Sequence, residues 1–306
     1  MKEVRNLKKR IFKGVATAIV TPLTQDGSIN YDSLKNLIEF QIKSGVDAIV
    51  VCATTGEAST LSYNEHLKIT EFCCEQVNRR IPVIAGAGSN NTAHAVDLSK
   101  ECSNIGVDGL LVVTPYYNKT SQDGLVRHYF EIADSTDTPI ILYNVPSRTG
   151  LNVLPQTYKK LSEHENIVAV KEANGDISSI SKTASLCNED LWIYSGNDDQ
   201  TLPILSLGGQ GVISVTSNIV PKIFTELCKN FFEGNFEIAK ALQLKYHELM
   251  EAIFCDVNPI PIKFALNAMD FDVGPCRLPL SAMCDSKCAY LINVLEKYHL
   301  IGDDMR

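Results

Sequence analysis

Eight short apolar runs, rich in β-branched residues, recur along the chain with stretches of helical period between them. The first four are GVATAIV (14–20), VDAIVV (46–51), IPVIAG (81–86) and DGLLVV (108–113). The other four are TPIILYN (138–144), NIVAVKE (166–172), LWIYSG (191–196) and GVISV (211–215). Each is apolar at both alternating positions, as a strand of a parallel sheet covered on both faces must be. Between them, YDSLKNLIEFQIKSG puts Leu34, Leu37, Ile38 and Ile42 on one stripe, with polar capping candidates in front and Gly45 behind. NEHLKITEFCCEQVNRR repeats that pattern. An open doubly wound sheet also alternates strands and helices, but usually with fewer strands. The count of eight predicts a (β/α)8 TIM barrel.

From Pro221 onward the strand pattern stops. PKIFTELCKNFFEGNFEIAKALQLKYHELMEAI reads as two helices broken near Gly234, and PIPIKFALNAMD and LSAMCDSKCAYLINVLEKYHL predict two more. The first of these helices completes the outer ring. Residues 1–232 are therefore read as the barrel and residues 233–306 as a C-terminal helical appendage.

Composition narrows the partners. A net charge of −8 and a pI near 5.3 argue against a nucleic acid or an anionic membrane. The basic start MKEVRNLKKR is not followed by the apolar stretch of a secretory signal, and no apolar run reaches the ~18 residues of a membrane span. The ten cysteines are scattered and form no C-x-x-C pair, which predicts reduced, mostly buried thiols, no zinc and a cytoplasmic protein.

Barrel enzymes do their chemistry at the C-terminal ends of the strands. Those ends read CATTGEAST, VTPYYNK, YNVPSRTG, VKEANGD, SGND and SVTSN, and the lysine that a strand itself carries there is Lys171. Lysine is rarely buried without compensation, so the bland reading is a side chain snorkelling to water or pairing with Glu172. Desolvation can instead lower its pKa, leaving an amine that attacks a carbonyl to form a Schiff base. The neighbours favour the second reading. Thr54 and Thr55 of TTGE offer hydroxyls and backbone N–H groups able to hold a carboxylate without a charged side chain. Tyr143 offers a phenol that can relay protons, and Arg148 a guanidinium that can grip a carboxylate in two places.

With TTGE, TPYYNK, LYNVPSRTG, VKEANGD and GVISV standing in this order, nearly the whole chain resembles the dihydrodipicolinate synthase/N-acetylneuraminate lyase family of pyruvate-dependent class I aldolases. The resemblance implies that Lys171 forms the Schiff base with pyruvate and that no metal or organic cofactor takes part. It implies that Tyr143, Thr55 and Tyr117 form a proton relay, with Tyr117 reaching the neighbouring subunit's site across a tight dimer interface. Thr54 and Thr55 would hold the pyruvate carboxylate, Arg148 would bind the carboxylate of aspartate semialdehyde, and Gly196 and Ile213 would line the pocket through their main chains. The usual assembly of the family is a homotetramer, a dimer of tight dimers.

Two features point to one branch of that family. Relatives cleaving sialic acid or keto-deoxy sugar acids generally lack an arginine matching Arg148 and carry Ser-Thr where this chain has Thr54-Thr55. The expected reaction is therefore condensation of pyruvate with L-aspartate 4-semialdehyde, the first committed step of diaminopimelate and lysine biosynthesis, and the sugar-acid aldolase is the alternative. GAGSNN (86–91) mimics part of a dinucleotide fingerprint but lacks its third glycine. A barrel that merely binds a ligand would have no physical need of Lys171, Tyr143, Thr55, Tyr117 and Arg148 together. His66, Asn90 and Tyr116 match the family's lysine effector site. Tyr63 and His94 stand where lysine-sensitive relatives carry a histidine and a glutamate, which predicts weak or absent feedback.

Overall fold

In the computed structural model, which describes residues 8–302, each of the eight runs is a strand. These are β1 (Gly14–Ala18), β2 (Ala48–Val51), β3 (Val83–Gly86), β4 (Gly109–Val113), β5 (Ile140–Asn144), β6 (Ile167–Glu172), β7 (Trp192–Ser195) and β8 (Gly211–Ser214). They close in chain order into one parallel barrel, with β1 pairing to both β2 and β8. The helices between them are α1 (Tyr31–Lys43), α2 (Tyr63–Val77), α3 (Thr92–Ile105), α4 (Gln122–Ala133), α5 (Pro146–Thr149), α6 (Pro155–Leu161), α7 (Ile177–Cys187) and α8 (Thr201–Ser206).

Local chemistry sets the boundaries. The Asn30 side chain caps α1 by accepting from the Ser33 N–H, and Ser62 and Glu65 form a reciprocal capping box on α2. Leu34, Leu37 and Ile38 are buried as expected, but the fourth inward position of α1 is Gln41, and Ile42 is only half-buried. Gln41 earns its burial through hydrogen bonds: Thr17 donates to it at 2.8 Å, and it donates to the Ser217 and Asn218 carbonyls. Asp47 and Asp108, each placed just before a strand, accept the N–H of Val15 and Val83 on the neighbouring strand. The β1–β8 seam is tight enough that a Cβ on Gly211 would meet the Gly14 carbonyl at 1.8 Å.

Strand β6 departs from strict alternation. Its pairing with β5 slips between Ile140↔Ile167 and Ile141↔Ala169, a bulge centred on Val168. Val168 and Ala169 both pack in the apolar cluster inside the barrel, whereas Ile167 and Val170 belong to the layer between barrel and helices. The carbonyls at the bulge are claimed by the basic N-terminal segment: Lys8 donates to Ile167 O at 2.7 Å and Arg10 to Val168 O at 3.2 Å.

After β8, α9 (Pro221–Phe232) packs on β1 and completes the ring. The next stretch holds two helices rather than one, α10 (Phe236–Lys245) and α11 (His247–Ala252), because a second break falls at Tyr246 as well as at Gly234. Last come α12 (Ile260–Ala268) and α13 (Asp285–Lys297). This C-terminal part returns to the barrel mouth: Arg277 donates to the Gly27 and Thr60 carbonyls and pairs with Glu65. All ten cysteines are free thiols. Five are buried, Cys52, Cys73, Cys102, Cys187 and Cys228; four are intermediate and Cys284 is exposed, so the expected burial holds for half of them. No helix of the described residues is long and apolar enough to cross a membrane.

Candidate active site

Past the bulge, alternation resumes with Lys171 on the inner face and Glu172 on the outer one. Lys171 is the register partner of Tyr143 on β5 and of Tyr194 on β7. Its side chain is 3% exposed, and Nζ stands 4.5 Å from the centroid of the Tyr143 ring. Among the described residues it enters no ion pair. Gly196 makes room for it: a Cβ there would lie 3.1 Å from Lys171 Cγ and 2.8 Å from Ala173 Cβ. Ile213 on β8 is fully buried in the same inner cluster as Tyr143.

Glu172 does not pair with Lys171. It is buried between strand and helices, where the Tyr158 hydroxyl donates to it at 2.6 Å, Asn144 Nδ2 at 2.9 Å and the Asn174 N–H at 3.0 Å. Burial outweighs these donors and pushes its carboxyl up to about 7.

The TTGE turn follows β2. Thr54 is half-buried at the mouth, and Thr55 is buried with its hydroxyl oxygen accepting from Asn258 Nδ2 at 3.1 Å. Glu57 carries the left-handed end of the turn, at φ +55°. Its carboxylate meets Lys263 Nζ at 2.8 Å and accepts the Arg277 N–H at 2.9 Å. The whole turn is thereby tied to the C-terminal helices. Arg148 sits on the one-turn helix α5, exposed, with Nη2 donating to the Asn258 carbonyl at 3.1 Å.

Thr54, Tyr143 and Arg148 line a cavity of about 500 Å³. Lys171 is not in its wall but packs on Tyr143, which is. The same cavity extends to His66, Tyr116 and the stacked pair Tyr63–His94, whose ring centroids are 6.4 Å apart. His66 is buried with Nε2 2.8 Å from the Gly86 carbonyl, and burial lowers its pKa. Asn90 is half-buried outside the cavity wall, its carbonyl accepting from Asn118. Tyr117 is not brought to the site of its own chain: it points outward at φ +70° and 91% exposure.

Three participants carried no readable signal. Asn258, Lys263 and the role of Glu57 depend on the C-terminal segment folding back across more than 200 residues, which no local pattern encodes. Asp198 lay within SGND, a strand end already marked as polar. It is buried, and its carboxylate accepts the N–H groups of Val215 and Thr216 at 3.2 and 2.7 Å, stapling β8 to β7. Burial raises its pKa, and the charge of Lys171 is among the influences acting the other way.

The sequence model of the Dihydrodipicolinate synthetase family matches residues 11–297. A Thermoanaerobacter pseudethanolicus protein named 4-hydroxy-tetrahydrodipicolinate synthase is 53% identical over 294 residues, 96% of this chain and 99% of that one. The crystal structure of dihydrodipicolinate synthase from Thermotoga maritima superposes with a TM-score of 0.93 at 44% identity, covering 95% of this chain and 100% of that chain. The enzyme from Cyanidioschyzon merolae, solved with lysine bound, gives a TM-score of 0.93 at 39% identity, covering 96% and 100%.

Proposed function

The chain belongs to the dihydrodipicolinate synthetase family, and on that premise we propose that it condenses pyruvate with L-aspartate 4-semialdehyde to 4-hydroxy-tetrahydrodipicolinate. The observation that carries this reading is Lys171, buried without an ion-pair partner among the described residues and seated against the Tyr143 ring. Its amine attacks the ketone carbon of pyruvate. The carbinolamine loses water to give an iminium, which acidifies the pyruvate methyl group. Loss of a methyl proton gives an enamine whose carbon attacks the aldehyde of the second substrate, and the new alkoxide takes a proton. The amine of the semialdehyde then attacks the iminium carbon, closing the ring and releasing Lys171. The covalent imine does the work of an electron sink, so the reading calls for no other cofactor.

Each stage moves a proton, the task assigned to Tyr143, Thr55 and, from a second subunit, Tyr117. Thr54 and Thr55 hold the pyruvate carboxylate, Arg148 that of the semialdehyde, and Gly196 and Ile213 shape the pocket. We assign residues 1–232 to the barrel and 233–306 to a helical domain that braces its mouth. The outward Tyr117 supports a tight dimer, and we propose a dimer of such dimers, to be checked by sedimentation equilibrium. Ten free thiols favour the cytoplasm.

Borohydride reduction in the presence of pyruvate tests the reading. A peptide containing Lys171 should gain the mass of reduced pyruvate, and turnover should follow with aspartate semialdehyde but not with N-acetylmannosamine. Absence of the adduct would sink both aldolase readings. Feedback by lysine should be weak, because Tyr63 and His94 bring no carboxylate to the effector end of the cavity; inhibition at sub-millimolar lysine would refute this.

A further inference from the structure

We propose that Asn258 is a positioning residue that sets the direction in which the Thr55 hydroxyl passes its proton, an inference that presupposes the relay just described. Asn258 lies just before α12, in the C-terminal part of the chain, yet it is buried and bridges two groups of the site. Its side-chain amide donates to Thr55 Oγ1 at 3.1 Å, and its backbone carbonyl accepts from Arg148 Nη2 at 3.1 Å. The two contacts use different parts of the residue, so a side-chain substitution separates them.

A threonine hydroxyl has one proton to give and two lone pairs. Donation from Asn258 fills one lone pair. The Thr55 proton is therefore turned away from Asn258, and one lone pair remains to accept. That is the configuration a relay hydroxyl needs, able to receive a proton on one side while giving one on the other. The amide nitrogen of Asn258 is the atom turned toward Thr55. Asn258 Oδ1 is buried without a partner among the described residues. Asn258 thus offers Thr55 a donor, which an aspartate of the same shape would replace with an acceptor. The acceptor would draw the threonine proton toward itself and remove it from the relay.

The test is a double-mutant cycle on Asn258→Asp and Thr55→Val, assayed with pyruvate and aspartate semialdehyde. Asn258→Asp should lower kcat by about 100-fold, the bottom of the range for a lost proton-transfer step. KM for aspartate semialdehyde should stay within about threefold, because the backbone carbonyl that holds Arg148 remains. Borohydride trapping of pyruvate on Lys171 should persist. In the Thr55→Val background, Asn258→Asp should cost nothing further in kcat, since the hydroxyl it acts through is gone. Asn258→Ala, which removes the donor without adding charge, carries the same expectation should the aspartate variant fail to fold. Wild-type kcat in both variants would overturn the proposal, and so would an equal loss with and without the Thr55 hydroxyl. Failure of wild-type trapping would instead indict the aldolase reading itself.

Discussion

Lys171 and Lys263 are buried alike, at 3% and 2% exposure, and the protein treats them in opposite ways. Lys263 spends all three of its N–H donors. They go to Glu57 Oε1 at 2.8 Å, to the Thr21 carbonyl at 3.1 Å and to the Pro275 carbonyl at 2.6 Å. An ammonium so surrounded has no direction left in which to react, and it joins the TTGE turn to the C-terminal helices. Lys171 has an aromatic face and, among the described residues, no anion paired with it. Burial by itself therefore says little about a lysine's role; the partners decide whether it is a strut or a reagent.

The sharpest break in that comparison is a pair of single substitutions. Lys171→Ala should reduce activity to background and abolish the pyruvate adduct while the melting temperature stays close to wild type. Mass spectrometry after borohydride and a thermal melt check this. Lys263→Met should behave the other way round. Removing one member of a buried ion pair costs about 3–5 kcal/mol, because Glu57 is left buried with an uncompensated charge. Urea unfolding should show that loss, and pyruvate trapping in the folded fraction should survive. Adding Glu57→Gln to Lys263→Met should recover part of the stability; no recovery would mean that the pair is not the source of the loss.

Glu172 sharpens the comparison from the acidic side, since it is a buried carboxyl with no cation paired to it among the described residues, while Glu57 has one. Its folded pKa, about 7, lies above the ordinary 4.5. The folded state therefore binds the proton more tightly than the unfolded chain does. The resulting stability is fully present below about pH 4.5, declines as the pH rises and is gone above about 7. The whole span is worth about 3 kcal/mol at most. Glu172→Gln, which resembles the protonated form, should melt increasingly above wild type as pH goes from 5 to 8. Melting curves that stay parallel over that range would refute the assignment.

Much of this molecule is readable from one chain, for a physical reason. Strand and helix periods are local, so eight parallel strands and the capped α1 and α2 follow from the residues in each run. Lys171, Tyr143, Thr55 and Arg148 could be named as candidates because barrel sites gather at strand ends, which local patterns locate. Asn258 and Lys263 were not, because each acts on a residue more than 200 positions away, and the loop of prolines around them resembles any other. The second break at Tyr246 was missed since nothing there is a helix breaker. The basic N-terminal residues were read only as a failed signal, whereas Lys8 and Arg10 hold the carbonyls of β6.

Those carbonyls mark the bulge, and the bulge makes the site a matter of counting as much as of chemistry. The sequence places a lysine and a glutamate side by side, and one surplus residue at Val168 decides which of them faces the lumen. Pairing β6 to β5 without the bulge, with Val168 kept, would act on the strand as a frameshift acts on a message, leaving every downstream symbol intact and every meaning exchanged. The carboxylate would enter the barrel, and the amine would be stranded beneath the helices against the Tyr158 hydroxyl. The same chain, paired without its bulge, would keep every residue of the candidate site and still turn Lys171 away from it.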